Sequence, residues 1–421
     1  EHFDICRLLG IPRGIVVLTK ADLVEPDILE LVWLEVEEFL AGSFLEGAPV
    51  VAVSAVTGQG LEELRARLQE VASTVSVKDA SRYFRLPIDR AFSMRGFGTV
   101  VTGTLISGAV AREQEVELHP GGQRLRVRGV QVHGEATERA LAGQRTALNL
   151  SGIEPGELAR GMVLAEPGRF RPVSEIDCRL ELLGSAKPLK HRAPVHFHAG
   201  TAEIEAEVRL LDGGEVLRPA ASSWARLRLR EPLLLLPGDR FIIRMFSPVT
   251  TIGGGVVVDI GGHRYRRDED AGARLKILAE GTPAERLQLL ARESRYGLGL
   301  AELVARTGLT ERELDQAAPG DRLLVLRQPQ TWFLDREWAE HTLARLGEAV
   351  KTFHQQNPLA PGMPKEELRS RELPDGPEFL LDALIGGAPG IVAEGENLRL
   401  ETHRLVLKED EEQALAAIER L

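Results

Sequence analysis

Two short polar motifs, each placed directly after an apolar run, constrain the fold of this chain more than any other feature. The motif TKAD at 19–22 follows the apolar run at 14–18, and the dipeptide SA at 54–55 follows the run at 49–53. A helical pattern comes after each motif. Strands that alternate with helices in this way predict a parallel α/β sheet, and the loops after its strands gather at one edge. We therefore expect residues 1–79 to form part of an α/β domain.

The residue types in both motifs suit recognition of guanine. A carboxylate at Asp22 can accept hydrogen bonds from N1 and N2 of guanine, and the stem of Lys20 can lie along the purine face. A backbone N–H in the turn after the second strand can donate to O6. Such a site discriminates because the wrong base leaves its polar groups unpaired. We predict a guanine-binding set made of Thr19, Lys20, Asp22, Ser54 and Ala55.

The phosphate-binding part of such a domain has no counterpart in the 421 residues, which contain no G-x-x-x-x-G-K-[ST] motif. The chain also begins at Glu1, inside an amphipathic helical pattern and without methionine. We expect a protein truncated at its amino terminus that does not hydrolyse GTP alone, and we predict no catalytic residue. The alternative is that both motifs are chance matches in an ordinary α/β domain.

Net charge and cysteine content further restrict the classes of protein to which this chain can belong. The formal net charge of −11 disfavours general nucleic-acid binding, so RNA contacts would need local basic patches. Cys6 and Cys178 are far apart and form no C-x-x-C pair, which fits a reducing cytoplasm and offers no metal-ligand set. No apolar run approaches the length of a membrane span, so we expect no membrane partner and a cytoplasmic location.

The pattern of predicted secondary structure changes twice after the α/β segment. Short alternating strands with glycine turns predict two β-barrels, at 80–170 and 171–262. A helix with an N-cap at Thr282, two helices joined at a capping box of Thr310 and Glu313, and paired short strands then predict tandem winged-helix modules. These modules are placed at 263–340, at 341–407 and, as the start of a third that is cut off, at 408–421. The predicted fold class is multidomain: a partial α/β GTPase domain, two β-barrels and tandem α+β winged-helix modules.

The first barrel holds the densest motif, LPIDRAF at 86–92 followed by GFGTVVTGT at 96–104. We expect Asp89 and Arg90 to follow a strand, and Arg145 to begin another. From strand alternation alone, a surface ion pair together with a solvated arginine is the favoured interpretation.

The whole chain resembles the bacterial selenocysteine-specific elongation factor family. The resemblance is carried by the block IDRAFSMRGFGTVVTGT, the run GGGVVVD at 253–259 and the tail segment FHQQNPL at 353–359. It implies a translation factor that binds GTP, with Mg²⁺ in the intact protein, and delivers selenocysteinyl-tRNA to the ribosome at recoded UGA codons. It also implies an mRNA hairpin as a partner of the intact protein, through further winged helices.

The resemblance also assigns roles to residues of the first barrel. Asp89, Arg90 and Arg145 match the family's pocket for the aminoacyl end of the tRNA. Selenocysteine is an anionic selenolate at neutral pH whereas serine is uncharged, so two guanidinium groups favour the former. Two rival functions stay open: a general Tu-like or initiation-type tRNA carrier, and a non-enzymatic adaptor that docks RNA or protein. Carriers of the first kind normally end after the second barrel and have no winged helices.

Overall fold

A computed structural model describes residues 1–96, 98–266, 269–318, 320–386 and 390–403. The chain divides into two compact units. The first contains residues 1–275 and 306–308, and the second contains residues 276–305 and those from 309 onward. Within the described ranges, no helix is both long enough and apolar enough to cross a membrane.

The first unit begins with the predicted α/β segment. Its elements are α1 (His2–Leu8), β1 (Val16–Thr19), α2 (Pro26–Leu40), β2 (Val50–Val53) and α3 (Leu61–Ser73). Strands β1 and β2 are parallel neighbours. Pro26 stands at the start of α2, where its fixed φ is compatible with helix and its missing N–H costs nothing. Both predicted strands and both predicted helices are therefore confirmed, to within about two residues.

The next nine strands build barrel 1. They are β3 (Arg85–Met94), β4 (Gly98–Thr104), β5 (Ala109–Ala111), β6 (Glu115–His119), β7 (Gln123–Val132), β8 (Glu135–Thr137), β9 (Arg139–Leu141), β10 (Arg145–Ser151) and β11 (Val163–Ala165). Six of them close in the order β10-β4-β3-β11-β6-β7, because β7 also pairs with β10. Alternate residues such as Leu86, Val101 and Leu148 are fully buried inside. The outer faces of β3, β4 and β10 carry the polar residues of the motif.

Barrel 2 is formed by β12 (Val173–Leu182), β13 (Leu189–Lys190), β14 (Ala193–Ala199), β15 (Ala202–Leu210), β16 (Val216–Leu217), β17 (Ser222–Leu233), β18 (Arg240–Arg244) and β19 (Thr251–Asp259). Six strands close in the order β12-β17-β15-β14-β18-β19. The glycine run in β19 follows from close backbone approach. A Cβ on Gly253 would lie 2.2 Å from the carbonyl oxygen of Glu181.

Helices dominate the rest of the chain. The elements are α4 (Ala271–Glu280), α5 (Pro283–Glu293), β20 (Leu298–Gly299), α6 (Leu300–Thr307), α7 (Glu311–Ala317), β21 (Leu323–Leu326), β22 (Trp332–Asp335), α8 (Arg336–Gln356), β23 (Met363–Pro364), α9 (Lys365–Glu372), α10 (Glu378–Ile385), β24 (Ile391–Glu394) and β25 (Asn397–Leu400). Two three-stranded sheets, β20-β22-β21 and β23-β25-β24, are the wings.

The predicted capping box is present, with Thr310 accepting the N–H of Glu313. The predicted N-cap Thr282 accepts the N–H of Glu285, which completes a second capping box. The fold class is thus confirmed as an α/β start, two six-stranded barrels and winged-helix modules. Sequence patterns missed α4 and the strands of two or three residues β5, β8, β9, β13, β16, β20 and β23. The third module predicted at 408–421 lies outside the described residues.

Candidate functional site

The two predicted guanine-binding loops begin side by side. In the parallel pair β1–β2, Thr19 is in register with Val53, so the TKAD and SA segments leave the same edge of the sheet. Lys20 adopts the left-handed conformation with φ of 60°, and Ala21 is buried directly after it. Among the described residues, the exposed side chains of Lys20 and Asp22 form no hydrogen bond or ion pair. They are available to a ligand at this edge.

Ser54 shapes the second loop through its own side chain. Its hydroxyl is fully buried and accepts the backbone N–H groups of Val56 and Thr57, at 3.2 and 3.1 Å. The backbone N–H of Ser54 donates to the Gln59 carbonyl at 3.0 Å. This arrangement is an ST-turn, in which a serine hydroxyl accepts hydrogen bonds from nearby backbone N–H groups. The exposed backbone at Ala55 is then the part of the loop that can face a base.

The residues predicted to form the aminoacyl pocket on barrel 1 differ from the sequence-based prediction in one respect. Asp89 and Arg90 do not follow a strand but lie inside β3, at a β-bulge. Ile88 is opposite Gly103 and Arg90 is opposite Thr102, so Asp89 is the additional residue of β3. A bulge re-aims side chains without ending the strand. The predicted strand ended at Ile88, directly before these two charged residues, whereas β3 continues to Met94.

The bulge brings Asp89 to Arg145, which is 56 residues further along the chain. Arg145 Nη1 donates to Asp89 Oδ2 at 2.5 Å, and Thr102 Oγ1 donates to Asp89 Oδ1 at 2.6 Å. The three residues lie on the neighbouring strands β3, β4 and β10. Arg145 is the more exposed partner, with 53% of its side chain accessible against 23% for Asp89.

Electrostatics keep this carboxylate ionised. Partial burial alone would raise the pKa of Asp89. The hydrogen bonds from Arg145 and Thr102, with the positive charges of Arg145 and Arg90, outweigh burial and hold the pKa of Asp89 below its ordinary 3.8. The same hydrogen bond from Arg145 to Asp89 raises the pKa of Arg145. An ionised acid therefore fixes one guanidinium of the site.

Arg90 differs from Arg145 in its partners. It is exposed, and in the part of the chain that the structure describes it has no hydrogen bond and no ion pair within 4.0 Å. The surface ion pair that strand alternation favours therefore exists between Asp89 and Arg145, while Arg90 is the solvated arginine. Sequence reasoning missed Thr102. The alternating polar positions of GTVVTGT were the only available signal.

A cavity of about 350 Å³ opens on the same side of barrel 1. Ala147, which is opposite Thr102 in the sheet, lines it together with Met94, Val100 and Gln131. Asn149 also lines the cavity, and its Oδ1 atom is buried with no hydrogen-bond partner among the described residues. The cavity combines apolar walls with polar amides and with the charged residues Arg112, Arg128 and Glu138. No group of three or more potential metal ligands occurs in the described ranges.

The α/β start, the two six-stranded barrels and the winged-helix modules together define the architecture of a translation elongation factor extended by winged helices. Residues 98–165 match the family model described as elongation factor Tu domain 2. Residues 176–264 match the β-barrel domain of selenocysteine-specific elongation factor, and residues 348–387 match the winged helix of elongation factor SelB. The chain belongs to the selenocysteine-specific elongation factor family.

Curated relatives agree with the family models. The selenocysteine-specific elongation factor of Desulfomicrobium baculatum is 42% identical over 98% of this chain and 66% of its own length. The factors of Haemophilus influenzae and Escherichia coli are each 31% identical over 91% of this chain and 60% of their own lengths. The chain thus spans between 60 and 66% of the lengths of these relatives.

Solved structures extend the similarity to three dimensions. A crystal structure of bacterial selenocysteine-specific elongation factor EF-Sec has a TM-score of 0.73 at 25% identity, covering 99% of this chain and 66% of that one. SelB from Methanococcus maripaludis, solved with the GTP analogue GppNHp, has a TM-score of 0.52 at 23% identity and covers 60% of each chain. The second likeness concerns the fold alone.

Proposed function

We propose that this protein binds selenocysteinyl-tRNA and, together with GTP, takes part in delivering it to the ribosome at recoded UGA codons. The observation that carries the proposal is the set of Asp89, Arg90 and Arg145 on barrel 1, with both arginines exposed, in a chain of this family. The work of a translation factor places the protein in the cytoplasm.

Recognition of the amino acid follows from charge. A selenolate is anionic at neutral pH, and guanidinium groups offer it charge-assisted hydrogen bonds that a neutral hydroxyl receives only weakly. A thousandfold preference for selenocysteine over serine requires about 4 kcal/mol. Charged hydrogen bonds contribute roughly 1.5–3 kcal/mol each, so two of them are sufficient. Among the described residues Arg90 has no ion-pair partner within 4.0 Å, and Asp89 holds Arg145 by a hydrogen bond.

The cavity beside this cluster suits the end of the tRNA. Its volume of about 350 Å³ and its mixture of apolar walls with Gln131 and Asn149 match a stacked nucleoside. The unsatisfied Asn149 Oδ1 offers an acceptor for a base amino group or a ribose hydroxyl. We assign the terminal nucleoside of the tRNA to this cavity.

Lys20, Asp22 and the backbone at Ala55 would hold the guanine base, because they are exposed together at one sheet edge. When bound, GTP supplies the γ-phosphate whose contacts order switch loops in GTPases. These residues can bind the guanine base but not the rest of the nucleotide. The 421 residues contain no phosphate-loop motif that would hold the phosphates and Mg²⁺. Hydrolysis is therefore not assigned to any residue of this chain.

The winged helices fit a connecting role toward the ribosome and an mRNA hairpin. Helix α7 carries Glu311, Glu313 and Asp315 with a single arginine, Arg312. A helix that lies along phosphates needs a cationic face, which α7 lacks. A role as a transcription factor, inferred from the winged helices alone, is therefore disfavoured.

The test compares binding of selenocysteinyl-tRNA and seryl-tRNA to the wild-type chain and to Arg90→Gln, with Arg95→Gln on the same hairpin as a charge-matched control. We expect Arg90→Gln to abolish the preference for selenocysteine, while Arg95→Gln changes both affinities alike. Equal affinity of the wild type for the two tRNAs would favour a general tRNA carrier. An absence of tRNA binding, with no preference for guanine over adenine nucleotides, would favour the adaptor.

A further inference from the structure

Thr102 is the one uncharged side chain bonded to the Asp89–Arg145 pair within the described residues. It lies in β4, partly buried, between Arg90 on β3 and Ala147 on β10. Its hydroxyl donates to Asp89 Oδ1 at 2.6 Å while Arg145 donates to Oδ2. Both oxygens of the carboxylate are thereby engaged by different neighbouring strands.

We propose that Thr102 is a positioning residue for selenocysteine discrimination, which holds Asp89 so that its other oxygen fixes Arg145 and Arg90 remains the cation available to the anionic side chain. This inference rests on the proposed function. It assigns unequal roles to Arg90 and Arg145, and it adds the uncharged Thr102 to the residues that determine discrimination.

The bulge explains why a positioning residue is needed. An inserted residue is not paired in the ladder, so the backbone at Asp89 lacks the cross-strand constraint of its neighbours. Exposed ion pairs contribute little unless geometry holds them, because two flexible side chains lose entropy on pairing. More than half of the Arg145 side chain is exposed. The hydrogen bond from Thr102 restricts the carboxylate, so Arg145 meets an acceptor that is already oriented.

The charges of the two arginines are consequently not equivalent. The Asp89 carboxylate compensates Arg145 directly, whereas Arg90 opposes Thr102 in the sheet and has no ion-pair partner within 4.0 Å among the described residues. Loss of the Thr102 hydroxyl would free Asp89 to turn toward Arg90 and compensate that cation instead. The expected result is weaker discrimination rather than weaker tRNA binding.

The experiment uses the full chain with selenocysteinyl-tRNA and seryl-tRNA as probes. Thr102→Val removes the hydroxyl at constant shape, and Thr102→Ser restores it. Thr104→Val is the matched control, since Thr104 is exposed two residues along the same strand and forms no hydrogen bond through its side chain in the described ranges. Thr102→Ala provides a second hydroxyl-free variant should Thr102→Val fail to fold.

We expect Thr102→Val to lower the ratio of the two affinities at least tenfold, with seryl-tRNA affinity unchanged. Thr102→Ser and Thr104→Val should keep the wild-type ratio. Rescue of the ratio by Thr102→Ser separates this role from a general loss of stability. A wild-type ratio in both hydroxyl-free variants would overturn the role of Thr102. A wild-type protein without any preference would instead overturn the proposed function itself.

Discussion

The guanidinium of Arg85 forms two hydrogen bonds of 2.8 Å with the carboxylate of Asp239, one to each oxygen. Arg85 is the first residue of β3 and Asp239 immediately precedes β18, so this bidentate pair joins barrel 1 to barrel 2. Asp239 Oδ2 also accepts the backbone N–H of Leu236 at 2.9 Å. The strand that carries Asp89 and Arg90 is therefore anchored at its start by the second barrel.

Removal of Arg85 should destabilise the first unit. The side chains of Arg85 and Asp239 are only 12% and 21% exposed. Arg85→Met therefore leaves the largely buried carboxylate of Asp239 without its counter-ion. We expect the free energy of unfolding in urea to fall by about 2–3 kcal/mol. Arg139→Met, at an exposed position on the same barrel, should change it by less than about 0.5 kcal/mol. Equal effects of the two substitutions would refute the anchoring role.

Gly103 is required by close packing between β3 and β4. A Cβ at this position would lie 2.2 Å from the carbonyl oxygen of Pro87 and 2.8 Å from a Leu86 methyl group. We expect Gly103→Ala to cost about 2 kcal/mol or more, because β3 has to move away. Gly121→Ala has open space within 4 Å and serves as the control. Thermal unfolding of both variants is the measurement, and a Tm for Gly103→Ala as high as that of Gly121→Ala would contradict the prediction.

Acid sensitivity should include a contribution from Asp259 at the end of β19. Burial would raise its pKa, but the charges and hydrogen bonds of Arg306 and Arg274, in the same compact unit, lower it to about 2 from the ordinary 3.8. A lowered pKa stabilises the fold above pH 3.8, and this stability disappears as pH falls toward 2. The shift corresponds to about 2 kcal/mol.

Asp259→Asn tests this contribution. We expect the variant to be less stable at pH 7 and to lose less stability than the wild type between pH 4 and pH 2, since one titrating group is absent. The measurement is the free energy of unfolding in urea as a function of pH. An identical pH dependence in the two proteins would show that Asp259 is not the group responsible.

The two cysteines should differ in reactivity. Cys6 is exposed on α1, whereas Cys178 is fully buried in barrel 2. Burial, reinforced by the negative charge of Asp177, raises the pKa of the Cys178 thiol well above 9.0 and suppresses the reactive thiolate. Under native conditions at pH 8, iodoacetamide should modify Cys6 alone, with Cys178 labelled only in denaturant. Mass spectrometry of peptides decides this, and native labelling of Cys178 would show that barrel 2 opens.

Local patterns predicted much of the fold. Strands β24 and β25 are the paired short strands predicted after the helices, and the helix that begins after Thr310 has its predicted capping box. These features depend on contacts between residues three or four positions apart, which periodicity and cap residues reveal directly. Helix α4 was missed because its amphipathic signal is weak, although Asp270 caps it by accepting the backbone N–H of Ala273 at 3.0 Å.

The site shows where such patterns stop being informative. Asp89, Arg90 and Arg145 were selected by resemblance, but the end assigned to the strand before Asp89 was wrong. A bulge depends on which residues the partner strand presents, and no property of the local sequence encodes it. Thr102 was missed for the same reason, since its role exists only when β3 and β4 are in register.

The sequence by itself therefore determined the order of the domains, the type of most of the longer elements and the family, because these depend on local periodicity and on motifs. Only the tertiary structure decided that Asp89 binds Arg145 and Thr102 and leaves Arg90 without a partner within the described residues. The physical reason is that barrel closure sets strand register between residues far apart in sequence. A shift of one residue in that register would send each of these side chains to the other face of the sheet.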